Sequence, residues 1–299
     1  MTKHRYEYAY PVPLPASRAD VFEALTDADA LRAWFAEHVE VQPVAGGAFR
    51  FWGRHTYGAP GAGQATQTLL RFEPETALAF SWRLLDRDSE VTWALDEQTG
   101  DDGPVTKITV THEFESLPSI GRAEALIDDL WRIHTGNLCF YLHGNTNMFR
   151  PDFTDDSPEI RSEIVIDAPP DKVFAALIVP ENIKQWFPAP DPVVEPQVGG
   201  KYGFGFSFEM DGRTIEPPPM VIAEYVENER LTMNWPDWRM NPDVPDQTIS
   251  WRLEDVGGGR TRLTLLHYGF TRTVDVSDYP FGWQEFLEKI AATARELAE

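Results

Sequence analysis

The stretch VFEALTDADALRAWF, beginning at Val21, returns as VFAALIVPENIKQWF, beginning at Val173. The match continues downstream. PVAGGAFRF at Pro43 answers to PQVGGKYGF at Pro196, Trp82 of ETALAFSW to Trp235 of NERLTMNW, and His112 of TKITVTHEF to His267 of TRLTLLHYG. The order of matches never changes, and their separation drifts only from 152 to 155 residues, as hairpin loops of unequal length would make it do. The chain is therefore a tandem duplication. Two copies are too few for a solenoid, so each must bury a core of its own. A length of 299 residues is ample for that. The acidic, aperiodic stretch RPDFTDDSPE, with its two prolines, reads as the boundary. The expected domains are 1–150 and 159–299, joined by a linker at 151–158.

Each copy spells the same elements. An alternating run comes first (YEYAYPVPL, then EIRSEIVIDA), as in a half-buried strand. A helix start follows, marked by Ser17 and Asp20 in capping-box spacing in one copy and by Pro170 in the other. A second short helix carries Leu31 and Trp34, or Ile183 and Trp186, on one face. About six strand-like runs come next, and a long amphipathic helix closes each copy. The fold class is α+β: a curved antiparallel sheet of about seven strands around one long C-terminal helix, with two short helices after the first strand. A curled sheet gripping one helix leaves room between them, and that room is the candidate site.

Strand parity sorts the side chains facing it. In the first copy these are Trp34, Phe51, Trp82, Trp93 and His112, joined by Trp131 from the long helix. In the second they are Trp186, Phe204, Trp235, Trp251 and His267, joined by Trp283. Tyr202, Phe204, Phe206 and Phe208 read as one aromatic strand row, and Arg71 and Glu224 point outward, opposite in phase to Leu70, Phe72, Ala223 and Tyr225. The aromatics either line pockets for an apolar or planar ligand or pack against the helix as an ordinary core. The histidines either orient a ligand or move a proton, or they are core residues satisfied by a neighbour.

Several chemistries are absent from the pattern. HEFES at His112 ends in serine and is not a zinc-binding H-E-x-x-H. Cys139 and His143 share a helix face, but two ligands do not make a metal site. GGKYGFGF leads into a strand and cradles no phosphate. No G-x-S-x-G elbow occurs, and no carboxylate pair falls on an inner face. We therefore expect no cofactor, no metal and no catalytic residue, and a binding protein before an enzyme. A net charge of −22 repels nucleic acid and anionic membranes. With one cysteine, no run of eighteen apolar residues and no signal-like N-terminal stretch, the cytoplasm is the expected compartment.

The twin W-F helices, the GG-x-[FY]-x-F strands at Gly46 and Gly199, the L-x-[FM]-x-W strands, the T-x-[IL]-T runs ending in histidine and the final helices cover nearly the whole chain. Together they resemble the helix-grip domains of the START and birch-pollen-allergen superfamily (SRPBCC). Within it they are most similar to the activator of heat-shock protein 90 ATPase homologue family, C-terminal domain type. The resemblance implies an apolar ligand cavity in each copy, with no ligand assigned. It does not carry over activation of the chaperone, which in the eukaryotic co-chaperone rests largely on a separate N-terminal domain. Polyketide aromatase/cyclases of the same superfamily supply the enzymatic alternative, with the cavity histidines in play. A chaperone-associated protein-binding module is a third.

The copies differ where parity points inward. Gly53 stands opposite Phe206, and Phe80 opposite Met233; the second copy adds Phe208 and the stretch EPPPM, while the first carries the loop YGAPGAG. On side-chain volume alone the first copy is expected to hold the larger cavity and the principal ligand site.

Overall fold

The computed structural model describes all residues except 1–5, 101–102, 117–122, 146–147, 211–212, 237–244 and 271–277. The chain divides into two compact units, 1–156 with 274–278 and 157–273 with 279–299.

In the first unit, strand β1 (Tyr6–Leu14) leads to helices α1 (Arg18–Thr26) and α2 (Ala28–Trp34). Strands β2 (His38–Val41), β3 (Phe49–Trp52), β4 (Leu69–Glu73), β5 (Ala77–Leu84), β6 (Arg87–Gly100) and β7 (Gly103–Phe114) follow, then helix α3 (Ala123–Leu142). The main sheet is antiparallel in the order β1-β7-β6-β5-β4, with β2 and β3 paired separately. The Ser17 hydroxyl caps α1 by accepting from the Asp20 amide at 3.1 Å. The same hydroxyl donates to Asp20 Oδ2 at 2.6 Å. Asp27 caps α2, its Oδ1 accepting from the amides of Asp29 and Ala30.

The second unit repeats the plan with β8 (Glu159–Ile166), α4 (Pro170–Ile178), α5 (Pro180–Trp186), β9 (Val193–Val194), β10 (Lys201–Gly203), β11 (Phe208–Met210) and β12 (Arg213–Ile215). It continues through β13 (Met220–Val226), β14 (Arg230–Trp235), β15 (Gln247–Gly257), β16 (Arg260–Tyr268) and α6 (Asp278–Glu296). Seven strands pair in the order β8-β16-β15-β14-β13-β10-β9. Both prolines that open α4 and α5 occupy the first turn, where a missing N–H costs nothing.

The expected sheet of about seven strands stands in the second unit, which also carries a separate hairpin β11–β12 between β10 and β13; the first unit's main sheet has five. Two expectations are corrected. The aromatic row is not one strand: β10 stops at Gly203, and Gly205, at φ +65°, turns the chain before Phe206. A bulge between Leu69 and Arg71 in β4 throws Leu70 outward, 47% exposed, and buries Leu69 instead; β13 carries the same irregularity between Ile222 and Glu224, with Ile222 buried and Ala223 outward.

The recurring W-F helices have a local purpose. The Trp34 indole N–H donates to the Ala24 carbonyl at 3.0 Å, and that of Trp186 to Ala176 at 2.9 Å. Each ties the second short helix to the first. The recurring glycine pair is equally structural. Gly46 and Gly199 both stand at φ +81°, and a Cβ on Gly47 or Gly200 would lie 2.4 or 2.1 Å from the carbonyl oxygen of Gln42 or Glu195.

Candidate functional site

The six first-copy candidates converge, but on one another. Trp93 packs edge-on against Trp131 with ring centroids 6.2 Å apart and contacts Trp34 at 6.1 Å. Trp82 meets Phe51 at 5.1 Å and lies parallel to the His112 ring at 5.7 Å. All six are buried to within 3% of completely. Phe35, which parity did not single out, fills the remaining middle between Phe51, Trp93 and His134. This is a core.

His112 is closed on both sides. The Trp131 indole N–H donates to its Nδ1 at 3.1 Å. An indole nitrogen can only donate, so Nδ1 carries the lone pair and Nε2 the proton. Nε2 then donates to the Ser89 hydroxyl at 2.8 Å, and Ser89 donates onward to the Trp82 carbonyl at 2.6 Å. Burial pushes the imidazole pKa down to about 3, so the ring stays neutral at physiological pH.

Among the described residues, the features expected to open the first copy are engaged in contacts. Gly53, at φ +114°, leaves space that the Glu37 side chain occupies, since a Cβ there would stand 2.6 Å from that of Glu37. The Glu37 carboxylate also accepts from the Arg54 amide at 2.9 Å, which holds its pKa below the usual range. The YGAPGAG loop is pinned by Arg50, which donates to the carbonyls of Ala62 and Ala65, both at 2.9 Å. A groove of about 500 Å³ does exist on this unit, but it lies on the surface beside Asp88, Glu90, Glu113 and Glu115.

The second copy is built on the same scheme with a looser end. The Trp283 N–H donates to His267 Nδ1 at 3.0 Å, so the same tautomer holds. Burial again depresses this histidine's pKa to about 3. Trp251 packs on Trp283 at 5.6 Å, and Trp186 on Phe204 at 6.0 Å. Trp235, however, is only half-buried, whereas its counterpart Trp82 is 3% exposed. A cavity of about 40 Å³ opens against Trp235, lined by Phe204, Phe206, Met220, Pro217 and Pro218. Phe206 is part of a cavity wall. Counting side-chain volume misjudged it, because Gly205 redirects the backbone there.

Two contributors were invisible to the search for aromatic residues. Ser89 and Gln247 occupy matching positions, each paired across the sheet with the tryptophan of its copy, Trp82 or Trp235. Ser89 completes His112, but Gln247 does not complete His267. Parity marks both residues as inward, and that was the available signal. Elsewhere, Cys139 Sγ lies 3.8 Å from His143 Nδ1, and no group of three potential metal ligands occurs among the described residues. No described helix is long and apolar enough to cross a membrane.

Comparison with known proteins follows the duplication. Residues 15–141 and 167–295 each match the family model described as Activator of Hsp90 ATPase homolog 1-like protein. No curated protein matches the chain. Among solved structures, DynU16, a protein of the dynemicin biosynthetic locus, is 19% identical over 98% of this chain and 99% of its own, with a TM-score of 0.39. CalU16 from Micromonospora echinospora is 24% identical over 46% of this chain and 75% of its own, with a TM-score of 0.36. Aha1 from Colwellia psychrerythraea is 23% identical over 44% of this chain and 90% of its own, with a TM-score of 0.35.

Proposed function

The chain belongs to the activator of Hsp90 ATPase homolog 1-like family, and from that premise we propose that it binds an apolar or aromatic small molecule, with the second unit as the principal site and the first as a packed counterpart. The observation that carries this reading is the contrast between equivalent tryptophans. Trp82 is sealed in a core, while Trp235 forms the wall of a cavity with Phe204, Phe206 and Met220. Aromatic and aliphatic walls favour a planar apolar guest.

Binding is favoured over the cyclase-like alternative. A general base works best with a pKa near the working pH. The matching strand histidines, His112 and His267, are instead held neutral and engaged by an indole donor. The third reading, a module that binds a chaperone or another protein, calls for a broad exposed apolar patch. Among the described residues the most exposed large apolar side chains include Val44 and Val198, in the loops before the two glycine pairs, and Leu70 in β4.

The test is a titration of the full chain with the neutral fluorescent probe N-phenyl-1-naphthylamine, beside a Met220→Trp variant that fills the cavity. The expected result is saturable binding to the wild type and at least tenfold weaker binding to a variant that still unfolds cooperatively. Equal binding by both would move the ligand elsewhere.

A further inference from the structure

The second unit contains a mismatched pair of buried polar atoms. His267 Nε2 and Gln247 Oε1 are both buried, on residues 0% and 2% exposed, and neither has a hydrogen-bond partner. The identities of the two atoms are determined by their neighbours. Because Trp283 donates to Nδ1 of His267, Nε2 carries the proton and is a donor. Because the Gln247 amide nitrogen donates to the Pro245 carbonyl at 3.3 Å, the amide oxygen is left as an acceptor.

The first unit shows what these positions do when they meet. There Val91 pairs with His112 across the sheet, Ser89 sits two residues before Val91, and the serine hydroxyl reaches the imidazole at 2.8 Å. In the second unit Ile249 pairs with His267 and Gln247 sits two residues before Ile249. The diagonal relationship is the same, but the longer amide is turned away and the contact is open. Each orphaned buried group is expensive to leave unmatched. Ser89 completes the first unit by being donor and acceptor at once, and nothing in the second unit's described residues does the same.

We infer that the second unit recognises a hydroxylated aromatic ligand, whose phenolic hydroxyl accepts from His267 Nε2–H and donates to Gln247 Oε1 in the place Ser89 fills in the first unit. This rests on the proposed ligand-binding role and specifies its chemistry. The aromatic body belongs at Trp235, which lines the cavity and also packs on the His267 ring at 5.7 Å. Trp235 ends β14 half-buried, and its indole N–H donates to the Tyr279 hydroxyl at 3.3 Å; His267 and Gln247 lie outside the cavity lining, so the proposal requires this ring to leave Tyr279 for a ligand to reach the pair. A carboxylate is excluded. It would satisfy the histidine but set its lone pairs against Gln247 Oε1, and it would place a charge in a neutral interior.

The experiment compares 1-naphthol, 1-methylnaphthalene and 1-naphthoate on the uniformly 15N-labelled full chain by calorimetry and long-range imidazole spectra. Naphthol should bind about tenfold tighter than its methyl isostere, the equivalent of one satisfied hydrogen bond, and naphthoate more weakly than either. Only naphthol should shift the His267 Nε2 signal. In Gln247→Met the naphthol preference should fall to within about twofold. Methylnaphthalene binding as tightly as naphthol, with the His267 signal unmoved, would overturn the hydroxyl assignment and leave the apolar site standing, with ordered water as the occupant of the pair. If none of the three binds, the ligand-binding reading falls with it. The His267 signal is read on the unmodified protein, so an unfolded variant would not obscure the outcome.

Discussion

The indole N–H of Trp131 lies 3.1 Å from His112 Nδ1, and that of Trp283 lies 3.0 Å from His267 Nδ1. One helix residue and one strand residue thus lock the sheet to the helix it grips, twice in the same chain. Because indole only donates, the lock also selects the tautomer and aims Nε2–H along the sheet. Trp131→Phe and Trp283→Phe should each cost about 1–3 kcal/mol for the orphaned nitrogen, with a further loss for the smaller ring. Urea unfolding of the full chain measures it. A loss under about 0.5 kcal/mol would show that the contact carries little.

The two histidines should respond differently to their neighbours. Ser89→Ala leaves His112 Nε2 buried without a partner and should destabilise by about 1–3 kcal/mol. Gln247→Met removes only the 3.3 Å contact to Pro245 and should cost under about 1 kcal/mol in the absence of ligand. Parallel denaturant curves decide this; equal losses would contradict the asymmetry.

Acid should weaken the fold well before carboxylates titrate. Burial depresses His112, His134 and His267 to about 3, against about 6.5 in the unfolded chain. Between those values the unfolded state binds protons that the native state refuses. The stabilisation is therefore complete above pH 6.5 and is lost as pH falls towards 3. At pH 5 the loss is about 2 kcal/mol per histidine, greater in the first unit, which holds two of the three. Urea midpoints unchanged between pH 7 and 5 would refute the buried-neutral assignment.

The glycine pairs should tolerate no side chain. Gly47→Ala and Gly200→Ala each drive a Cβ into a backbone carbonyl oxygen, which cannot swing aside. Each should cost more than the roughly 1 kcal/mol of an ordinary unfavourable backbone substitution. A thermal shift of under a degree in either variant would show that the turn relaxes freely.

Much of this was legible because the chain states it twice. Matching strand runs and long helices at constant order predicted a sheet around a helix, and parity brought Trp82, Trp93, His112 and Trp131 to one interior. What parity could not supply was continuity. The bulge at Leu70 and the turn at Gly205 each shift the phase by a step, so Leu70 faces solvent and Phe206 walls a cavity rather than filling one. The same inward residues then serve as core in one unit and as cavity wall in the other, a distinction set by a few neighbours such as Ser89 and Gln247. Composition does not register that difference.

The central claim is that the apolar site lies at Trp235 in the second unit. Its most direct test is the methionine methyl spectrum of the 13C-methyl-labelled full chain during titration with 1-methylnaphthalene. Met220 lines the cavity and Met233 is buried on the same sheet, while Met148 belongs to the first unit. The account predicts a saturable ring-current shift of Met220, with Met148 unmoved. A Met220 signal that stays in place through saturating probe, or a shift confined to Met148, would contradict it.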